Sequence, residues 1–144
     1  MNENNGKAPL HLWIIGIVSL LWNAMGAFDY TATQLRLDFY MSEFSEEQLA
    51  YFYGFPAWAK AFWAIGVWAS LLGSLFLLFR KALAAWLFGA AIIGLVGTSI
   101  YNFVLTDGAA LMGDGAVAFS VVIWVIALLL YFYATAMAKR RVLQ

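Results

Sequence analysis

Polar side chains that could bind a ligand lie close to one end of several apolar stretches. Asn23 and Asn102 each come a few residues before that end of their stretch, so their amides can share a depth. Asp29 closes the first stretch, and Lys60 lies one turn inside the second at about the same level. Each is the nearest opposite charge the other has there, which predicts an ion pair between them.

Aromatic residues flank these polar positions in the sequence: Trp22, Tyr30, Trp58, Trp63 and Tyr101. Aromatic faces combined with a few amides are typical of pockets for a sugar-like solute or a polar lipid head. The pattern therefore suggests a polar, aromatic-walled cup open to one side of a membrane. The alternative is a structural Asp29–Lys60 ion pair beside the aromatic belt that membrane proteins place at the interface.

Other chemistries have less support. The chain contains no cysteine and a single histidine, His11, which lies at the opposite end from the acidic side chains. A nucleophile–histidine–acid set is therefore not expected, nor is an enzyme activity, a cofactor or a metal site. The outer acids show no calcium-loop spacing. The net charge of zero offers no basic surface for nucleic acid.

The elements that position these residues are four long helices. Of the 144 residues, 65% are hydrophobic and 11% charged, far from the balance of a soluble domain. The apolar stretches cover residues 10–28, 57–79, 82–105 and 116–138, each near the ~20 residues that span a bilayer. We predict one all-α transmembrane domain over residues 1–144, an integral membrane four-helix bundle. The first stretch also fits a signal peptide, but its length favours a retained helix.

The orientation follows from the positions of lysine and arginine. One side carries both termini and the basic residues Lys7, Arg80, Lys81, Lys139, Arg140 and Arg141. The other side has only Arg36 and Lys60. The positive-inside rule then predicts a multi-pass protein with both termini cytoplasmic and loop 31–56 outside.

The long outer loop shows a helix-start signal. Ser45 and Gln48 have the spacing of a capping box, and Pro56 separates the predicted short helix from the next span. We expect this helix to lie on the membrane surface. The alternative is a plain linker whose aromatic side chains dip into lipid.

Small and polar residues recur every three or four positions in the predicted spans. Gly16, Ser19 and Asn23 share one face of the first span, and Gly94, Thr98 and Asn102 share one face of the third. The second span has Gly66, Ser70 and Ser74 at the same spacing. Such stripes let helix backbones approach closely, so we expect them, with both asparagines, to face the bundle interior.

Four short segments carry a resemblance to a known family. They are Leu21-Trp22-Asn23 with Gly26, Phe55-Pro56-Ala57-Trp58, Leu71-Leu72-Gly73 and Tyr101-Asn102-Phe103. Together they resemble a family of small bacterial inner-membrane proteins that often carry the label "sugar transporter". The resemblance implies a bacterial cytoplasmic membrane and includes Asn23 and Asn102 in the family pattern.

Two functions remain open at this point. The first is a non-catalytic accessory module that binds lipid or another membrane protein, which the absence of charge at the middle of any predicted span favours. The second is a transporter of a small, sugar-like solute, which with four helices would work as a homo-oligomer. The expected partners are membrane lipids together with another membrane protein or a second copy of the chain.

Overall fold

Four long helices dominate the computed structural model, which describes residues 7–144. They are α1 (Leu10–Leu35), α4 (Ala57–Leu78), α5 (Leu83–Ser99) and α7 (Asp114–Lys139). The helix α5 continues into a π-helical segment, Ile100–Leu105, and the combined helix has 23 residues. All four are long and apolar enough to cross a membrane. The predicted all-α bundle is therefore confirmed, and the chain is a multi-pass membrane protein.

Three short helices gather at one end of the bundle, which we call the capped end. They are α2 (Asp38–Met41), α3 (Glu46–Tyr53) and α6 (Gly108–Met112). The opposite end, which we call the turn end, holds the Arg80-Lys81 turn and the last residues of the chain. The Ser45 hydroxyl accepts from the Gln48 backbone N–H while the Gln48 side chain accepts from the Ser45 N–H, so the predicted capping box is confirmed.

The long helices form a row in which α4 packs against both α1 and α5, and α5 packs in turn against α7. The α4–α5 contact is the most extensive because glycines line it. A Cβ built on Gly94 would lie 2.6 Å from the carbonyl oxygen of Phe62 and 2.8 Å from Cα of Gly66. These backbones approach as closely as a small-residue stripe permits, as predicted.

By contrast, α1 and α7 barely touch, although they close the bundle. Their side chains meet where Trp22 lies against Phe119, with ring centroids 5.6 Å apart, and where His11 hydrogen-bonds the Tyr133 hydroxyl. The helix α7 is also the least buried of the four. The seam between α1 and α7 is therefore the weakest contact around the bundle.

The tightest apolar core lies at the turn end. Leu12, Leu77 and Phe88 are almost fully buried there, and the tail residues Val142 and Leu143 pack onto the same cluster. The backbone N–H of Gln144 donates to the carbonyl oxygen of Arg80 at 2.9 Å, which fixes the tail against the turn. Burial of this cluster anchors the turn end of all four long helices.

The first helix is longer than predicted. It continues seven residues past the expected boundary at Phe28 and ends where Arg36 adopts a left-handed conformation, with φ at 54°. The polar residues after Phe28 lower the hydropathy but still form helical hydrogen bonds, so hydropathy ends before the helix does. Asp29 consequently lies inside α1, well before its end, where the sequence had placed it at the boundary of the span.

Candidate binding site between the four long helices

A cavity with a volume of about 560 Å³ lies between the four long helices. Its turn-end floor is apolar and includes Phe88, Ile126 and Leu130. Its capped end includes Asp29 and Tyr40. Ligand pockets in proteins are typically of this volume, mostly apolar, with few polar groups. We call this space the main cavity.

A second cavity of about 250 Å³ adjoins the main cavity under α3 and α6. Asp29, Trp63 and Asn102 line both spaces, so these side chains stand where the two cavities meet. The polar part of the site is therefore concentrated near the capped end.

A directed chain of hydrogen bonds joins α1 to α4 on the cavity wall. The Asn23 amide nitrogen donates to the Ser70 carbonyl oxygen at 3.1 Å and to the Ser74 hydroxyl at 2.8 Å. A carbonyl only accepts, so this contact fixes which way the amide points. Ser19 donates its one hydrogen to the Gly16 carbonyl, and therefore accepts from Ser74 across 2.8 Å.

This network leaves one acceptor unused. Both amide hydrogens of Asn23 are committed, and no described residue donates to its Oδ1 atom. Asn23 is only 8% exposed and lines the main cavity. The described residues have no buried side-chain oxygen without a partner, so this Oδ1 atom is accessible, and a ligand hydroxyl or N–H in the cavity could donate to it.

The carboxylate of Asp29 has a neutral partner from the loop. The hydroxyl of Tyr40, in α2, donates to Asp29 Oδ1, and the Tyr40 ring packs edge-on against Phe28 with centroids 5.4 Å apart. Burial, together with the neighbouring carboxylate, raises the pKa of Tyr40 above its ordinary value. The hydroxyl thus stays protonated and keeps donating at neutral pH.

Asn102 lies in the π-helical segment. Its Oδ1 atom accepts from the Tyr51 hydroxyl, which is also 2.8 Å from the Thr106 hydroxyl. A Cβ on Gly108 would lie 2.9 Å from the Asn102 carbonyl oxygen, so glycine lets α6 approach this turn. Single π-helical turns often occur at functional sites because they shift side chains around the helix.

The structure brings together five of the nine residues predicted for the cup. Trp22, Asn23, Asp29, Trp63 and Asn102 line the main cavity. Tyr30 lines neither cavity but contacts Trp63 edge-on, with ring centroids 4.9 Å apart. Trp58 and Tyr101 contact each other, with ring centroids 5.6 Å apart, and line neither cavity. The prediction that both asparagines face the interior is confirmed.

The predicted ion pair is wrong. Lys60 lines neither cavity, and Asp29 makes its side-chain hydrogen bond with Tyr40. Sequence position indicates the depth of the two charges but not the rotation of each helix about its axis, and an ion pair depends on both. Tyr40 and Tyr51 were missed, since a tyrosine in the segment between two spans gives no signal of folding back onto a span. Ser70 and Ser74 were on a predicted stripe but were not assigned to the cup.

The arrangement can hold a molecule that is apolar at one end and polar at the other. Asp29 is the only charged residue among those lining the two cavities. The described residues contain no group of three or more His, Asp or Glu side chains that could hold a metal ion.

No known protein family, no curated protein and no solved structure matches the chain.

Proposed function

We propose that this protein is a non-catalytic membrane module that binds an amphiphilic lipid in the main cavity. The observation that carries the proposal is the division of that cavity into an apolar floor and a polar capped end. Phe88, Ile126 and Leu130 would contact the tail, while Asn23 and Asp29 would contact the head. The volume of about 560 Å³ suits one such molecule or a large part of it.

The seam between α1 and α7 supports a route of access from the bilayer. A lipid cannot leave the membrane to enter a site without exposing its tail to water. The slight α1–α7 contact, made by pairs such as Trp22 with Phe119, lies beside the cavity that both residues line. Separating these two helices would cost little packing and would open the cavity sideways to lipid tails.

The proposal is tested by filling the cavity. Ala127 lines the main cavity on α7, whereas Ala118 is exposed on the same helix and lines neither cavity. A brominated alkyl alcohol, whose bromine quenches tryptophan fluorescence, should quench the purified wild-type protein saturably because Trp22 and Trp63 line the site. Ala127→Phe should abolish this saturable quenching, and Ala118→Phe should leave it intact. Equal quenching in all three proteins would refute binding in the cavity.

A polar solute is the second candidate ligand. Two tryptophan faces and two amides line the cavity, which is the combination expected for a sugar-like molecule. The apolar floor favours the lipid, because a sugar would leave that half of the cavity without a matching surface. Competition by free sugars at the same quenched site would reverse this preference and support a transporter.

A protein partner fits the same architecture. The outward face of α7 carries Val121, Val125, Leu129 and Phe132, all exposed in the monomer. In a bilayer this face would meet lipid, a larger membrane complex or a second copy of the chain. Native mass spectrometry of the gently extracted protein separates these outcomes, since a homo-dimer favours a transporter and a hetero-complex favours an accessory module.

We also propose, from the sequence resemblance alone, that the protein lies in a bacterial cytoplasmic membrane.

A further inference from the structure

The single charged side chain on the cavity wall has no cationic partner in the described chain. Asp29 accepts one hydrogen bond, at Oδ1, from the neutral Tyr40 hydroxyl, and its other carboxylate oxygen accepts none from a described residue. A carboxylate inside a membrane span is costly to bury and is usually paired. We propose that Asp29 is the counter-ion for a cationic headgroup, so that the amphiphile in the main cavity is a long-chain ammonium compound. This inference rests on the proposed function and specifies the class of its ligand.

The nearby basic side chains are engaged elsewhere or lie off the cavity. The guanidinium of Arg36 lies 4.1 Å from the ring centroid of Tyr53. Neither Arg36 nor Lys60 lines the main cavity or its neighbour. An anionic headgroup, such as a phosphate, would therefore meet the Asp29 carboxylate with no positive charge on the wall to offset the repulsion.

Aromatic rings line the same cavity. Trp22, Tyr40, Phe44, Phe52 and Trp63 line the main cavity together with Asp29. The negative face of an aromatic ring attracts an ammonium group, and this attraction grows when the pair is shielded from water. A cavity lined by one carboxylate and several aromatic rings is thus suited to an alkylated ammonium, which has a positive charge and an apolar surface.

The hydrogen-bond acceptors on α1, at Asn23 and Asp29, suit a headgroup that donates hydrogen bonds. Asn23 Oδ1 accepts from no described residue, and Asn23 lines the cavity about six residues below Asp29, roughly 9 Å along the helix. A head with N–H or O–H groups could donate to Asn23 while its charge remains near Asp29. The apolar floor at Phe88 and Leu130 then takes the tail.

The test compares three headgroups attached to the same brominated alkyl tail. Purified protein in maltoside micelles is titrated with ω-bromoalkyl trimethylammonium, the matching ω-bromo alcohol and the matching ω-bromo carboxylate, and tryptophan quenching is followed. The wild-type protein should bind the ammonium at least about tenfold more tightly than the alcohol, and the carboxylate most weakly. Asp29→Asn should remove the preference for the ammonium, so that the ammonium and the alcohol bind this variant with similar affinity.

Two variants serve as controls. Asp29→Glu keeps the charge and should retain most of the preference, and Asp114→Asn removes an exposed acid that lines neither cavity and should change nothing. A full ammonium preference in Asp29→Asn would overturn the counter-ion role.

Tetramethylammonium, which has no tail, should fail to compete. Effective competition would show that the site takes a soluble ammonium ion instead. If the alcohol and the ammonium both fail to quench the wild-type protein saturably, the proposed function itself fails, which distinguishes the two conclusions.

Discussion

Asn23 on α1 donates a hydrogen bond of 2.8 Å to the hydroxyl of Ser74 on α4, and this contact holds the wall of the main cavity together. The chain of donors that begins at Asn23 ends at the Gly16 carbonyl, and the direction of every bond follows from the acceptors. The amide nitrogen of Asn23 hydrogen-bonds α1 to α4, and its amide oxygen accepts from no described residue. The oxygen is therefore available to the ligand that we propose.

Replacing Asn23 should weaken the bundle modestly. Asn23→Leu keeps a similar volume but removes both donors to α4, so we expect a loss of about 1 kcal/mol in the free energy of unfolding. A double-mutant cycle with Ser74→Ala, measured by unfolding in detergent, should show coupling between the two positions. Strictly additive losses would mean that the hydrogen bond contributes nothing, and Ser42→Ala in the exposed loop provides the control.

Adding a methyl group at the α4–α5 contact should be much more disruptive. The Cβ of Gly94→Ala would lie 2.6 Å from the Phe62 carbonyl oxygen, against backbone that cannot rotate aside. We expect a loss of roughly 3 kcal/mol, at the upper end for overpacking. Gly115→Ala is the matched control because its Cβ would meet nothing within 4 Å. Equal melting temperatures for the two variants would contradict the close α4–α5 approach.

Two of these features can be predicted from local sequence patterns. Glycine spacing predicts that Gly66 and Gly94 lie at helix interfaces, because the α-helical period is fixed by the backbone. The capping box at Ser45 is likewise a local signal, since Gln48 is three residues away. Both features were predictable without the fold.

The remaining features depend on the fold. The Tyr40–Asp29 bond joins a loop helix to a span, and no local pattern specifies where α2 folds back. The rotation of α4 about its axis, on which a pairing of Lys60 with Asp29 would depend, is set by packing against α1 and α5 together. The π-helical turn at Asn102 comes from hydrogen bonding that an apolar sequence does not reveal.

The Tyr40–Asp29 contact predicts a pH effect. Because burial and Asp29 raise the pKa of Tyr40, the folded protein holds this proton more tightly than the unfolded chain. The stabilisation is thus complete below the unfolded pKa near 10.0 and is lost as the pH rises through the folded-state value. Tyr40→Phe should be less stable than wild type at pH 8, and the difference should shrink above pH 10.0. Melting curves in detergent across this range measure it, and a difference that does not change with pH would exclude the titration.

The orientation in the membrane can be tested with reporters. The distribution of lysine and arginine predicts that the turn end is cytoplasmic and the capped end is outside. A fusion at Gln144 should read inside. An insertion near Glu47, at the exposed start of α3, should read outside. Two reporters reading the same side would contradict the four-span topology.

The last prediction concerns the seam between α1 and α7. If ligands enter sideways from the bilayer, joining these two helices should slow binding without changing the cavity floor. The natural chain has no cysteine, so a pair introduced at His11 and Tyr133 would be the only thiols present. These two side chains hydrogen-bond at the turn-end part of the seam and line neither cavity. A short bifunctional thiol reagent should therefore tie α1 to α7, and quenching by the brominated alcohol should become slower while its final amplitude is kept. The same double variant without the reagent controls for loss of the hydrogen bond, because only the tied protein should be slow. Unchanged kinetics after complete cross-linking would mean that the ligand enters past α2 and α3 at the capped end, where Tyr40 and Phe44 line the cavity.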